Sequence, residues 1–139
     1  MNMAAILDTS FLIATFNNKD KNHASVIKVA RELNESLVLP ISVLPEVCYL
    51  IASRMGHFYM RRFLTQLAAS NTILEAITLT DLQRVAEILE EYADSQLDFV
   101  DATIVAIAER LNINKVLTLD RRDFSIIRPR HCSYFDILP

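Results

Sequence analysis

Four acidic residues stand where a folded chain could bring them together. Asp8 and Asp120 each follow a short apolar run that is typical of a buried strand, and Glu46 and Asp101 lie where helices are expected to begin. Two carboxylates about 4 Å apart repel by about 1 kcal/mol in water and about 4 kcal/mol at an effective dielectric constant of about 20. A cluster of them therefore calls for a cation. Oxygen ligands of this kind suit Mg²⁺ or Mn²⁺ rather than zinc.

The chemistry that such a site would serve is the hydrolysis of phosphate esters, because a divalent ion bridges phosphate oxygens and activates water. Other phosphate sites fit the sequence poorly. Gly56 is the only glycine, which excludes a glycine-rich phosphate loop. An aspartyl-nucleophile phosphatase would need a second Asp two residues after Asp8, where Ser10 stands, and a receiver domain would need an early acidic pair.

Each acid also has a structural interpretation when it is taken alone. Asp8, Asp98 and Asp120 could cap helices, and Asp101 would be favourable near the positive end of a helix. Glu46 could simply face water. Caps and solvated acids are common. Their placement at one edge of a parallel sheet is what favours a shared site, since ligands bind at the carboxyl ends of such strands.

The elements that must position these acids alternate between strands and helices. This order predicts an α/β fold around a parallel sheet. The predicted strands cover 4–7, 37–39, 72–78, 115–119 and 134–138. Six helices are predicted. The first three begin at Thr9, at Asp20 (ending near 35) and at Ser42, with Gly56 just past the end of the third. The next three begin at Phe58, at Thr80 or Asp81 (ending near 93) and after Asp98, which caps 99–111.

Length and composition set the remaining limits. The chain has 139 residues, 52% of them apolar, with no repeat or linker, so we expect one domain over residues 1–139. Its two cysteines form no CxxC pair, which argues against zinc and fits a reducing compartment. No apolar run is long enough for a membrane span, and the start lacks the basic residues of a signal peptide, so we expect a cytoplasmic protein.

The net charge of −3 means that overall charge cannot hold a nucleic acid. Local arginines would have to do so. Those that cluster just past Asp120 are the candidates: Arg121, Arg122, Arg128 and Arg130.

Four segments and the closing YFDILP resemble the PIN domain, and most of all the VapC-type toxins of toxin–antitoxin systems. The segments are ILDTSFLIA, SVLPEV, LDFVDATIVAIAERL and VLTLDRRDF, each with one of the four acids. They follow the order and spacing of the family from residue 4 to the end. Any one of them would be a weak signal, whereas the set in order is specific.

The resemblance implies a parallel sheet of about five strands flanked by helices on both faces. It implies that Asp8, Glu46, Asp101 and Asp120 form the acidic quartet of the family and hold Mg²⁺, with Mn²⁺ able to substitute. The activity would be that of an endoribonuclease that leaves a 5′-phosphate and a 3′-hydroxyl. The partners would be RNA, a second copy of the chain, and a VapB-like antitoxin whose C-terminal segment covers the site.

Four further residues lie beside the quartet in sequence. Thr9 and Thr118 flank strand-end acids and are predicted to hold a carboxylate or a metal-bound water. Asp98 is interpreted as a helix cap or a supporting acid, and Asp123 as a cap of the turn after Asp120 rather than a group that backs up the site.

Two alternatives to a ribonuclease stay open on the sequence alone. One is a catalytically silent PIN-like module that binds RNA or protein, and the other is a DNA nuclease. The sequence also predicts a homodimer, formed through the helices of residues 20–70, because a 52% apolar content in so short a chain suggests a hydrophobic interface.

Overall fold

The structure is a computed structural model that describes residues 4–139. Its centre is a five-stranded sheet in which all four strand pairs are parallel. The spatial order is β3-β2-β1-β4-β5. The strands are β1 (Ala4–Leu7), β2 (Ser36–Pro40), β3 (Ile73–Glu75), β4 (Lys115–Leu117) and β5 (Asp136–Leu138). The predicted parallel α/β fold is confirmed.

Seven α-helices connect these strands within the described part of the chain. They are α1 (Thr9–Phe16), α2 (His23–Glu32), α3 (Val43–Arg54), α4 (His57–Ala68), α5 (Leu79–Glu91), α6 (Phe99–Leu111) and α7 (Arg121–Ile126), with a 3₁₀ turn at Ala93–Ser95. Over residues 4–139, no helix has both the length and the apolar character that crossing a membrane requires.

The core is densest where β1 and α6 lie. All four residues of β1 are buried, and α6 is buried without interruption from Asp101 to Ala108. Continuous apolar sequence is what a central parallel strand requires, because both of its faces are covered. β1 lies between β2 and β4, so its carboxyl end, and with it Asp8, is at the middle of the sheet edge.

The helix after Asp20 differs from its prediction at both ends. Asp20 does not cap it, because its Oδ1 accepts a hydrogen bond from the Asn22 backbone N–H at 2.8 Å and forms a local turn instead. α2 then begins at His23 and ends at Glu32, earlier than the predicted residue 35.

β3 is shorter than predicted because a helix cap and an arginine use its second half. Thr78 is the N-cap of α5 and forms a capping box with Asp81, which starts the helix at Leu79. Arg110 donates to the carbonyl of Ala76 at 3.2 Å. These contacts give Ala76 and Thr78 hydrogen-bond partners outside the sheet.

Two arginines join α5 to α6 through ion pairs. Arg84 Nε lies 2.7 Å from Glu109 Oε1, and Arg110 donates to both carboxylate oxygens of Asp81 at 3.0 and 2.9 Å. Burial acts to raise the pKa of Asp81, but its hydrogen bonds with Arg110 and Thr78 lower that pKa overall.

Candidate metal centre

The carboxyl ends of β1 and β4 meet the N-terminal ends of α1, α3, α6 and α7 in a crevice of about 430 Å³. Among residues 4–139, its wall contains seven carboxylates and one arginine, Arg54. The acids are Asp8, Asp20, Glu46, Asp98, Asp101, Asp120 and Asp123. The structure therefore brings together all four acids singled out in the sequence, from four separate segments of the chain.

Asp8 both caps α1 and faces the crevice. Its Oδ1 accepts from the Thr9 backbone N–H at 2.8 Å, and its Oδ2 accepts from Thr118 Oγ1 at 2.7 Å. Burial raises the pKa of Asp8, and the charges of Glu46 and Asp120 add to this, while the bonds from Thr118 and Thr9 oppose it. The structural and functional interpretations of this acid are therefore compatible.

Two hydroxyl groups brace the turn between β4 and α7. Thr118 Oγ1, fully buried, also accepts from the Asp120 backbone N–H at 2.9 Å and lies 3.2 Å from Ser10 Oγ. Ser10 Oγ accepts from the Leu119 N–H at 2.9 Å. Because the one proton of Thr118 goes to Asp8, Ser10 must donate to Thr118. Ser10 was missed from the sequence, where its only signal was a hydroxyl beside a strand-end acid.

A third hydroxyl joins α1 to α3. Thr9 Oγ1 donates to Glu46 Oε1 at 2.5 Å across 37 residues of chain. Charge-assisted hydrogen bonds of this kind are short and strong. Thr9 and Thr118 thus each donate to a carboxylate of the crevice, which is one of the two contacts expected for them from the sequence, the other being a metal-bound water.

Asp101, Asp120 and Asp123 form the tightest group of acids. Each offers a carboxylate oxygen, and the three oxygens lie within 4.8 Å of one another. Asp98 caps α6 by accepting from the Asp101 N–H at 2.8 Å, as predicted. The cap predicted for Asp123 is wrong: Asp120 is the N-cap of α7, accepting from the Asp123 N–H at 3.4 Å, and the Asp123 carboxylate faces the other two acids.

The cluster is electrostatically costly without a cation. Burial, followed by the charges of Asp98, Asp8, Asp123 and Asp120, raises the pKa of Asp101 to about 8. Burial and Asp120 also raise the pKa of Asp123. Three convergent carboxylates are a hard donor set, so the crevice fits Mg²⁺ or Mn²⁺.

The arginines past Asp120 separate into two groups. Arg121 donates to the carbonyls of Ile137 at 3.0 Å and Pro139 at 2.9 Å, so its guanidinium holds β5. Within residues 4–139, the guanidinium groups of the other three do not hold a strand. Arg130 pairs with Glu87 at 3.3 Å, and Arg128 is exposed. Arg122 is also exposed, and its charge acts to lower the pKa of Asp123. The partners of Arg130 lie on α5 and at the C-terminal end of α6, and none of the four arginines is among the described residues that line the crevice.

Comparison with known proteins identifies the family. The family model of the PIN domain matches residues 5–128 of this chain. Ribonuclease VapC26 of Mycobacterium tuberculosis is 33% identical over 134 residues, which cover 96% of this chain and 99% of that protein.

Solved structures share the fold at lower identity. VapC20 of Mycobacterium tuberculosis, described as a sarcin-ricin loop cleaving toxin, has a TM-score of 0.79 at 22% identity and covers 85% of this chain and 91% of its own. VapBC2 of Rickettsia felis, bound to a fragment of its promoter DNA, has a TM-score of 0.74 at 14% identity and covers 99% and 100%. The resemblance drawn from the four acid-bearing segments is confirmed, and the chain belongs to the PIN domain family.

Proposed function

We propose that the chain is a metal-dependent endoribonuclease that hydrolyses RNA phosphodiester bonds and acts as the toxin of a type II toxin–antitoxin pair. The observation that carries the proposal is the convergence of Asp101, Asp120 and Asp123 beside Asp8 in one crevice. The 33% identity to a protein named as a ribonuclease supports RNA as the substrate.

Asp8, Asp101 and Asp120 would hold Mg²⁺ or Mn²⁺, with Asp123 added to the set by its position. Glu46, held by Thr9, would complete the ligands directly or through water. When bound, the ion supplies positive charge to the phosphate and lowers the pKa of an attacking water. Thr118 contributes by fixing the orientation of Asp8 and the backbone at Asp120 before any ligand arrives.

An antitoxin is the partner that this crevice would accept. Seven carboxylates around one cavity favour an arginine-bearing peptide, since a guanidinium can bind a carboxylate through two hydrogen bonds. Structural neighbours described as a toxin–antitoxin complex from Klebsiella pneumoniae and as VapBC-1 from Haemophilus influenzae support this partner.

A homodimer through the helices of residues 20–70 is also proposed. Large apolar side chains are exposed on α3 and α4, among them Tyr49 and Leu64. Light scattering should give the mass of a dimer at micromolar concentration, and a monomer there would contradict the proposal. The compartment that we propose is the cytoplasm.

The deciding experiment is cleavage of structured and single-stranded RNA, and of DNA of matching sequence, by the purified chain freed of antitoxin. We expect cutting of RNA with Mn²⁺ and Mg²⁺, none with EDTA, and none with Asp101→Asn. Cutting of DNA alone would make the protein a DNA nuclease. No cutting of any substrate, cellular RNA included, would leave a binding module.

A further inference from the structure

A second cavity, of about 690 Å³, lies beside the acidic crevice and has the opposite charge. It is formed by the C-terminal end of α1, the residues that follow it, the end of α3 and one face of α4. In the part of the chain that the structure describes, three cations line it, Lys19, Arg54 and Arg62, and none of the lining residues is acidic. We call it the basic pocket. Its other polar lining residues are Thr15, Asn17, Asn18, Tyr59 and Gln66.

The cations of the basic pocket are not used to stabilise the fold. Elsewhere, Arg84, Arg110 and Lys115 form salt bridges with acids that are largely buried. In residues 4–139, neither Lys19, Arg54 nor Arg62 makes a salt bridge, and all three are exposed. Three like charges around one cavity repel, so an anionic ligand would be favoured there.

Two helices connect the basic pocket to the acidic crevice. α1 carries Thr9 at the crevice and Phe16 at the pocket, and α3 carries Glu46 at the crevice and Arg54 at both. Eight residues of helix separate Glu46 from Arg54, which is about 12 Å along the axis. A chain of a few nucleotides can span that distance.

We propose that the basic pocket binds the RNA segment next to the bond that is cleaved, with Lys19, Arg54 and Arg62 on its phosphates. The inference rests on the proposed ribonuclease activity and adds the place where the substrate is held. The seven carboxylates of the crevice and the net charge of −3 would repel RNA. The cations of the basic pocket would offset this repulsion beside the cleavage site.

The other lining groups suit a single-stranded segment. Tyr59 is 42% exposed, and its ring packs edge-on against Phe58, with centroids 5.3 Å apart. An exposed aromatic ring next to cations is the usual platform for an unpaired base. The amides of Asn17, Asn18 and Gln66 can donate to and accept from base edges.

The test is binding of a fluorescently labelled single-stranded RNA of mixed sequence, measured by anisotropy in EDTA over a range of salt concentrations. Lys19→Gln/Arg62→Gln removes two pocket cations and spares Arg54, which also lines the crevice. The slope of log affinity against log salt should fall in magnitude by about 0.7 for each lost phosphate contact, hence by about 1.4. The control, Lys28→Gln/Arg31→Gln, removes the same charge from exposed positions on α2 and should leave the slope nearly unchanged.

A second pair of variants tests the base. Tyr59→Leu should weaken RNA binding at every salt concentration without changing the slope, whereas Tyr134→Leu, which removes a more exposed tyrosine elsewhere, should not. Thermal melting and light scattering check that all variants keep the fold and mass of the parent protein.

The outcomes separate the two proposals. RNA binding in the basic pocket would be contradicted if the two double variants changed the salt slope equally, or if the parent protein bound no RNA. It would also be contradicted if Lys19→Gln/Arg62→Gln lost antitoxin binding and kept RNA binding. Each of these outcomes holds whatever the cleavage assay gives. Pocket-dependent binding in a protein that never cleaves RNA would overturn the nuclease and leave the pocket.

Discussion

Thr118 Oγ1 donates a hydrogen bond to Asp8 Oδ2 at 2.7 Å, although 110 residues of sequence separate the two. The same oxygen accepts from the backbone N–H of Asp120 at 2.9 Å. One buried hydroxyl group therefore sets both the orientation of the acid after β1 and the course of the chain after β4. Groups that orient ligands in this way strongly affect metal affinity.

Thr118→Val should reduce metal-dependent RNA cleavage by roughly 10- to 100-fold, because Asp8 loses its donor and the Asp120 N–H its acceptor. The free energy of unfolding should fall by about 1–3 kcal/mol, the cost of leaving buried polar groups unpaired. Thr65→Val is the matched control, since the Thr65 hydroxyl donates only to its own helix, on an exposed face. Equal activity of the two variants would contradict the role of Thr118.

Asp101→Asn should leave the protein in EDTA as stable as the parent chain or more so, and should remove most of the thermal shift caused by Mn²⁺. The parent carboxyl has a pKa of about 8 in the fold and about 3.9 when unfolded. The folded state thus binds the proton more tightly, and stability in EDTA should decline as pH rises from about 4 to 8. The variant should lack most of that decline.

Denaturant unfolding in EDTA at several pH values measures this, with the exposed Asp94→Asn as control. If Asp101→Asn were instead much less stable without metal and kept the Mn²⁺ shift, Asp101 would serve α6 and not an ion.

The acids that cap helices and also line the crevice could be predicted from the sequence. Both roles follow from one local feature, an acid directly after a strand or before a helix. Asp8, Asp98 and Asp120 are of this kind. The role of Asp123 was not accessible, because it depends on how α7 turns its first residues toward Asp101. Nor was that of Arg54, which reaches the crevice only because α3 runs beside α1.

The same distinction holds for the strands. β1 matched its predicted range, since four buried apolar residues before an acid leave little choice. β3 did not, because residues 76–78 include the strand-forming types Ile77 and Thr78, and only the distant Arg110 and the capping box of α5 divert them. Long-range polar contacts of this kind leave no periodic signal.

The Asp81–Arg110 pair should make the protein sensitive to acid. The pKa of Asp81 is lower in the fold than in the unfolded chain, so its contribution is present above pH about 4 and is lost as pH falls further. Asp81→Asn should cost roughly 3 kcal/mol at neutral pH, as expected for breaking a buried pair, and should flatten the loss of stability below pH 4. Urea unfolding at pH 7 and pH 3 measures both effects.

Glu87→Gln is the control for that variant, because the Glu87 side chain is exposed where it pairs with Arg130 at 3.3 Å and with Arg84 at 3.8 Å, and exposed pairs contribute at most about 1 kcal/mol each. If the free energy of unfolding fell equally in the two variants, burial of Asp81 would not determine the strength of its ion pair with Arg110.

Arg121 and Arg122 are neighbours that should prove different in function. The guanidinium of Arg121 donates to two backbone carbonyls at β5, so Arg121→Met should lower the melting temperature and leave the salt dependence of RNA binding as it is. Arg122 is exposed and directly precedes Asp123, which lines the crevice, so Arg122→Met should reduce the salt slope by about 0.7 and leave the melting temperature unchanged. The reverse pattern would mean that RNA draws Arg121 away from β5, and that the carbonyls of Ile137 and Pro139 hold it only until the substrate binds.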